Sequence, residues 1–465
     1  MKTSPVPTIS RSRPTPVAAL VPAVLSALLP AGPLFAATHT VTSCNDDATA
    51  ATTAGTLRYE VGHAATGDVL DLSTLTCSTI TLQSGEIVVP QADLHIKASA
   101  ANPATVNANF ASRVFHHSGT GTLEIEYTTV EEGHYIPTAP TTPSVGGCIA
   151  SQGSVYLRHS VVDRCLATLS STSTNYVRGG AVYAAVSANI VSSRITNGYA
   201  RTLQSPSAGG AYGGGLFVGK NGQHPALTVK YSTISNNNVR TPNSGALHPS
   251  QFGGGGIAVA SGGADGAVII EYSTISANYA PFGGAVQTRS PVYIENSTIS
   301  GNNAPSDGGA GGLQVPTLVI NNSTIAFNSG ATGGMNTGSL DMESSIVFGN
   351  QAALASLGAD VILTTSNPHI SGGFNLIGLM GTTPPANFIV SQSDPHLLPL
   401  SNHGGLTATH ALPANSPAIG IGDNPVGYVY DQRGTGYPRP TQNADIGAYQ
   451  RQAKDDELFY ADFEE

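Results

Sequence analysis

The chain has 465 residues and a formal net charge of −10, and charged residues make up only 10% of it. This acidic balance disfavours nucleic acid or an anionic membrane surface as a partner, because binding phosphates needs a basic footprint. With 40% hydrophobic residues, 54 glycines, 30 prolines and no tryptophan, the composition excludes a disordered chain and favours many strands and turns in one repetitive unit.

The first 37 residues are typical of an export signal. Lys2 and two arginines make the start positive, residues 17–35 are apolar without acidic residues, and Ala36-Ala37 offers a cleavage site. Prolines in this stretch argue against a membrane-spanning helix, and no later stretch is long enough for one. We predict a signal peptide over residues 1–37 and a protein that is secreted or on the outer cell surface; a disordered cytosolic N-terminus is the alternative.

Residues 38–130 are predicted to form an N-terminal cap and the first, irregular coils of a stack. The segment GTLRYEVGHAA (55–65) places Leu57 and Val61 on one face of a short helix, which suits it to covering the open end of a stack.

The four cysteines allow three pairings. Export makes disulfides reasonable, and proximity in sequence favours Cys44–Cys77 and Cys148–Cys165. No CxxC motif or Cys/His cluster indicates a metal, so we expect neither a metal site nor a cofactor.

Residues 131–350 hold the strongest signal, a repeat, and we expect regular coils there. Seven segments of eleven residues align without a gap: VYLRHSVVDRC (155–165), ANIVSSRITNG (188–198), LTVKYSTISNN (227–237), VIIEYSTISAN (268–278), VYIENSTISGN (292–302), LVINNSTIAFN (318–328) and LDMESSIVFGN (340–350). Each has two apolar positions five residues apart with a serine between them, and five copies end in an asparagine column: Asn237, Asn278, Asn302, Asn328 and Asn350.

This spacing predicts an all-β protein, a right-handed single-stranded parallel β-helix (solenoid) with a short N-terminal capping helix. Alternate residues face one side of a strand, and serine and asparagine then turn the chain. Ile270, Ile294 and Ile320 should stack inside successive coils about 4.8 Å apart. Because no copy can bury its apolar face alone, the coils form one core.

Gly-Gly pairs precede most copies, as at Gly146-Gly147 and Gly179-Gly180. We predict positive φ angles at a corner of the coil. A phosphate-binding loop is the rival interpretation, but the helix and the Lys-Ser/Thr that such a loop needs are missing.

Charged residues occupy the outward position after the first apolar column. Stacking places Glu271 and Glu295 about one strand spacing apart, with Lys230 beside Glu271. These are the candidate catalytic residues for a glycosidase or a lyase. A solvated face of mixed charge, which prevents strands from associating edge to edge, is the alternative that we favour.

Three consecutive coils carry insertions at one edge, over residues 166–178, 199–213 and 238–253. They bring aromatic and arginine side chains, which suit a sugar or a protein partner, although loop tyrosines also pack on a coil wall. The predicted ligand-binding residues are Tyr176, Arg178, Tyr199, Arg201, Tyr212 and Arg240, with His248, Phe252, Tyr279 and Phe282 nearby.

The repeat fades over residues 351–450, and residues 451–465 form an acidic, sorting-like tail. Three C-terminal motifs are distinctive: DPHLLPLSNHGGLTATHALPANSPAIGIGD (394–423), DQRGTGYPRP (431–440) and ADIGAYQ (444–450). With the opening TVTSCNDD and GTLRYEV, they resemble bacterial choice-of-anchor Q domain proteins over nearly the whole mature chain, although Gln450 stands where an acidic residue is commoner. This resemblance implies a pectin-lyase-like β-helix, export and a variable C-terminal end for anchoring, but no shared chemistry.

Taken together, the sequence predicts a non-catalytic, secreted or surface-attached monomer that presents loops for adhesion or for binding a polysaccharide or surface protein. The alternative is a polysaccharide lyase or glycoside hydrolase acting on an acidic polysaccharide.

Overall fold

In a computed structural model, the described residues run from 36 to 453, with residue 455. Gaps fall at 140–141, 171–174, 204–209, 221–224, 241–251, 261–265, 306–308 and 354–359. The predicted signal peptide (except for its last two residues), most of the acidic tail, and His248 lie outside the described residues. Within the part of the chain that is described, no helix is long and apolar enough to cross a membrane.

The described chain is a parallel β-helix, wound in the right-handed sense that parallel crossovers favour. Most regular coils contribute two strands to sheet A and one to sheet B; in two later coils a single nine-residue strand, Leu313–Asn321 or Met335–Glu343, replaces the pair in sheet A. Sheet A has 20 strands: Thr38–Thr40, Val69–Asp71, Ile87–Val89, Leu94–Lys97, Phe115–His117, Thr122–Glu126, Ile149–Ser151, Ser154–Arg158, Val182–Ala184, Ser187–Val191, Leu216–Val218, Ala226–Lys230, Ile257–Val259, Val268–Glu271, Val286–Gln287, Val292–Glu295, Leu313–Asn321, Met335–Glu343, Val361–Leu363 and His369–Gly373.

Sheet B faces sheet A across the core and has 12 strands: Thr79–Thr81, Ala104–Asn107, Thr128–Glu131, Val161–Asp163, Arg194–Thr196, Thr233–Ser235, Thr274–Ser276, Thr298–Ser300, Thr324–Ala326, Ile346–Phe348, Asn375–Ile377 and Ile389–Ser391. Four smaller sheets complete the fold. Sheet C is His134–Tyr135, Leu166–Leu169, Tyr199–Thr202 and Asn238–Arg240; sheet D is Ser144–Val145, Val177–Arg178, Ala211–Tyr212 and Phe252–Gly253; sheet E is Asn303–Ala304, Ser329–Gly330 and Gln351–Ala352; the antiparallel sheet F is Gly422–Asp423 and Gln442–Ala444.

The stacking predicted from the repeat is confirmed. Ile270 pairs with Ile294, and Ile294 pairs with Ile320, in parallel register. All three side chains have 0% exposure. The apolar column is therefore the wall of one continuous core, which runs along the coils.

Two left-handed residues turn the chain in each regular coil. One precedes the serine, as at Tyr272 (φ 50°), and the other precedes the asparagine, as at Ala277 (φ 53°). The polar side chain that follows each corner is buried and bonds to the neighbouring coil: Ser273 Oγ accepts a hydrogen bond from the backbone N–H of Ser232 at 3.1 Å. The columns of serine and asparagine side chains thus pair with backbone groups inside the stack, so these buried polar side chains do not need water as a hydrogen-bond partner.

The role predicted for the Gly-Gly pairs is only partly correct. Gly179 does have a positive φ of 68°, but its partner Gly180 does not. A Cβ on Gly180 would lie 2.2 Å from the carbonyl oxygen of Gly214 in the next coil. In the pairs at 311–312 and 333–334 neither glycine has a positive φ. Close approach between coils is thus the more general reason for these glycines.

The N-terminal helix packs against the core of the β-helix. The helix α1, Leu57–His63, buries Leu57 and Val61 in the core, and Thr56 caps its N-terminus by accepting from the backbone of Tyr59. A short 3-10 helix, Ala50–Thr52, precedes it.

Both predicted disulfides are confirmed, with Cα atoms 6.3 Å apart in Cys44–Cys77 and 5.4 Å apart in Cys148–Cys165.

Residues 394–450, the C-terminal cover, lie over the outer face of the later strands of sheet B. Thr274 Oγ1 donates to the carbonyl of Ala408, and Ser300 Oγ bonds to His410 Nε2 at 2.8 Å. Apolar residues of the cover pack against sheet B. The distinctive C-terminal motifs are therefore built into the packing of the β-helix.

Candidate functional site

The inserted segments form arms of two packed layers. In each arm the chain leaves the coil along a sheet C strand and returns along a sheet D strand. Among the described residues, four coils have such a pair of strands. The strands His134–Tyr135 and Ser144–Val145 are the first pair, which the sequence did not reveal because this segment has no Arg/Tyr pair. The facing sides of the two sheets share a small apolar cluster: Ala167, Leu169, Val177, Ala200, Ala211, Val239 and Ala280.

This packing divides the predicted ligand-binding residues between two faces. Ala200 points into the apolar cluster, so its neighbours Tyr199 and Arg201 point out from sheet C. On sheet D, Val177 points inward, and Arg178 therefore points out from the opposite side. The arms do not bring all six residues to one site.

On the sheet C side lies a group that we call the arginine face: Tyr199, Arg201, Arg240 and Tyr279. Arg201 and Arg240 are register partners on adjacent strands. The guanidinium of Arg240 lies 6.0 Å from the ring of Tyr199 and 5.8 Å from the ring of Tyr279. These contacts position a cation between two aromatic rings.

Neither arginine of this face has a carboxylate partner among the described residues. Arg240 Nε donates to the Asn238 side chain at 3.1 Å, and Arg201 Nε donates to Thr168 Oγ1 at 3.2 Å. Burial, and then the positive charge of Arg201, lower the pKa of the neighbouring His134. The two arginines therefore give this face a local positive charge, although the protein as a whole is acidic.

The sheet D side is largely closed by its own aromatic rings. Arg178 lies 4.9 Å from the ring of Tyr176 and 5.0 Å from that of Phe217. Phe217 in turn packs against Tyr183 and Tyr212, and burial raises the pKa of Tyr212. Since Tyr183 and Phe217 are only 5% and 3% exposed, this face has the character of a coil wall covered by packed side chains.

The three candidate catalytic residues are neighbours, as the repeat predicts. Lys230 pairs in register with Glu271, and Glu271 with Glu295. Lys230 Nζ lies 2.6 Å from Glu271 Oε2, and this hydrogen bond raises the pKa of the lysine. A catalytic base needs the opposite shift to be neutral near pH 7.

The same row continues through Asn321 to Glu343, which the sequence analysis did not select. Burial, together with the negative charges of Asp423 and Asp341, raises the pKa of Glu343 to about 7. Only the fold reveals this shift, because Asp423 comes from the C-terminal cover.

Two other clusters of polar residues lie near the first coils. A cavity of about 430 Å³ is lined by Glu86, Arg113, His134 and Tyr135 among others, but Arg113 already donates to Glu86 and to the carbonyls of Val145 and Gly146. The second cluster is His95, Glu124 and Glu126, whose ligand atoms all lie within 4.8 Å of one another. Among the described residues, this is the group whose imidazole nitrogen and carboxylate oxygen atoms could together bind a metal ion.

The fold and these surfaces define a parallel β-helix with two-layered arms on four of its coils. No protein-family model matches the chain, so the choice-of-anchor Q assignment stays a resemblance. No curated protein matches it either. Among solved structures, the crystal structure of pectate lyase Pel9A is similar over 90% of this chain and 97% of its own, with 12% sequence identity and a TM-score of 0.45.

Proposed function

We propose that this is an exported, non-catalytic β-helix protein that binds an anionic polysaccharide along the arginine face. The observation that carries the proposal is the pairing of Arg201 with Arg240 in register, without a carboxylate partner in the described structure. Because the two arginines are register partners on strands about 4.8 Å apart, they can present a row of positive charge to the repeating charges of a polymer.

The rings of Tyr199 and Tyr279 supply the second element of such a site. Both are partly exposed and flank Arg240. Tyrosine faces stack on sugar rings, while arginine forks take carboxylate or sulfate groups. Export is supported by the N-terminal segment and by the two disulfides.

Binding should be tested by affinity electrophoresis against a polyuronate, a sulfated glycan and a neutral glucan. We expect retardation by an anionic polymer that falls as salt rises, because exposed charges are screened beyond about 8 Å at physiological ionic strength. Arg201→Ala/Arg240→Ala should remove most of the retardation. Lys220→Ala/Arg289→Ala, which removes two exposed cations elsewhere, is the matched control.

The variant Arg178→Ala tests whether the polysaccharide binds on the sheet C side or on the sheet D side of the arms. We expect it to bind like the parent, because Arg178 packs between Tyr176 and Phe217 on the other side. If the Arg201/Arg240 variant kept the retardation of the parent, the arginine face would be the wrong site.

One observation favours a second candidate function, hydrolysis of a polysaccharide. Glu343 has a pKa near 7, as a general acid requires. Its strand lies two strand spacings, or about 9.6 Å, from that of Glu295. For comparison, the two carboxyl groups of an inverting glycosidase are roughly 6.5–9.5 Å apart.

A further inference from the structure

The parallel register of sheet A brings together side chains from three coils that are far apart in sequence. His95 is the register partner of Glu124, and Glu126 that of Arg158. All four side chains lie on the outer face of the sheet, since the alternate residues Ile96 and Ile125 are buried in the core.

We propose that His95, Glu124 and Glu126 form a binding site for a divalent transition-metal ion of the Zn²⁺ class, with Arg158 as the cation that the metal displaces. His95 Nε2 lies 3.3 Å from Glu126 Oε2 and 3.7 Å from Glu124 Oε1. Around a tetrahedral ion with bonds of about 2.1 Å, ligand atoms are about 3.4 Å apart. The two distances from His95 Nε2 are close to this value, and all three atoms lie within 4.8 Å of one another.

Orphaned polar atoms provide a second, independent observation. Glu126 is only 7% exposed. Its Oε2 atom and His95 Nε2 are buried without a hydrogen bond of good geometry, although Oε2 lies 3.1 Å from Arg158 Nη2 and 3.3 Å from His95 Nε2. Buried polar groups in native proteins nearly always make hydrogen bonds of good geometry, and these two atoms face each other without one. A shared metal ion satisfies both.

Arg158 supplies the charge balance when no metal is bound. Its Nη2 atom lies 3.2 Å from Glu124 and 3.1 Å from Glu126, but its Nε atom is also without a hydrogen bond. With 37% of its side chain exposed, Arg158 can turn outward without disturbing the core.

Isothermal titration of the chelator-treated, tag-free protein with ZnCl₂ tests this site. We expect one ion per chain, with affinity at least 10-fold weaker in His95→Asn and in Glu126→Gln. Arg158→Gln should bind several-fold more tightly, because it removes the competing cation. His63→Asn, which removes an exposed histidine on α1, is the control and should bind like the parent.

Each result bears on the proposal. Equal affinity in the parent and in His95→Asn, or weaker binding by Arg158→Gln, would overturn it, as would no binding by either the parent or Arg158→Gln. Should Glu126→Gln fail to fold, as judged by its cooperative unfolding in chelator, Glu124→Gln replaces it. Absorption by bound Co²⁺, lost in His95→Asn, gives a second measurement of the nitrogen ligand.

Discussion

Asn350 donates two hydrogen bonds to one oxygen of Asp360, from its backbone at 3.1 Å and from its side-chain amide at 2.7 Å. Each earlier asparagine of the column donates the same pair of bonds to the asparagine of the next coil, as Asn302 does to Asn328. An aspartate ends the ladder because only an acceptor is needed there. Burial raises the pKa of this aspartate.

Replacing Asn302 by Ala should cost about 2–3 kcal/mol, because it leaves several buried backbone and side-chain groups without partners. Asn302 has 0% exposure and also donates to the carbonyl of Ile275. The urea midpoint of unfolding measures the loss. Asn189→Ala, at an exposed position of sheet A, is the control; equal midpoints for the two variants would show that the ladder contributes nothing.

Replacing Arg433 should loosen the C-terminal cover. The Asp431–Arg433 ion pair has 0% side-chain exposure on both sides, and the guanidinium lies between the rings of Tyr437 and Tyr449, 3.9 and 3.8 Å from their centres. Losing one partner of a buried pair costs about 3–5 kcal/mol. In Arg433→Met, hydrogen exchange should quicken over residues 394–450 while the coils at 155–235 keep their protection. Unchanged exchange in the cover would contradict this prediction.

Glu343 should make stability depend on pH in a predictable direction. Its pKa rises from 4.5 to about 7 on folding, so between these values the folded state binds more protons than the unfolded state. Stability therefore falls as pH rises from about 4.5 to about 7. In Glu343→Gln the denaturant midpoint should fall less over this window, whereas exposed Asp394→Asn should follow the parent. If the midpoint changed with pH in the same way in the parent and in both variants, the assignment of this pH dependence to Glu343 would be rejected.

The fold could be predicted from the sequence because each copy of the repeat is a short, continuous run of residues. The column of Ile270, Ile294 and Ile320 has a fixed position in each copy, and the parallel register follows from it. The row of Lys230, Glu271 and Glu295 was predicted for the same reason.

What could not be predicted depends on contacts between distant parts of the chain. The raised pKa of Glu343 needs Asp423 of the cover, and the grouping of His95 with Glu124 and Glu126 needs the register of irregular early coils. The division of the arms into two faces follows from small inward residues such as Ala200, which carry no distinctive sequence signal.

The last prediction concerns catalysis, where we expect no depolymerisation of a panel of acidic and neutral polysaccharides, with or without calcium. Lys230 is held as a cation by Glu271 and cannot act as a base near pH 7. New reducing ends and absorbance from unsaturated products would both be measured. Hydrolysis that disappears in Glu343→Gln and in Glu295→Gln, but persists in Lys230→Met, would instead establish the inverting pair and displace the non-catalytic proposal.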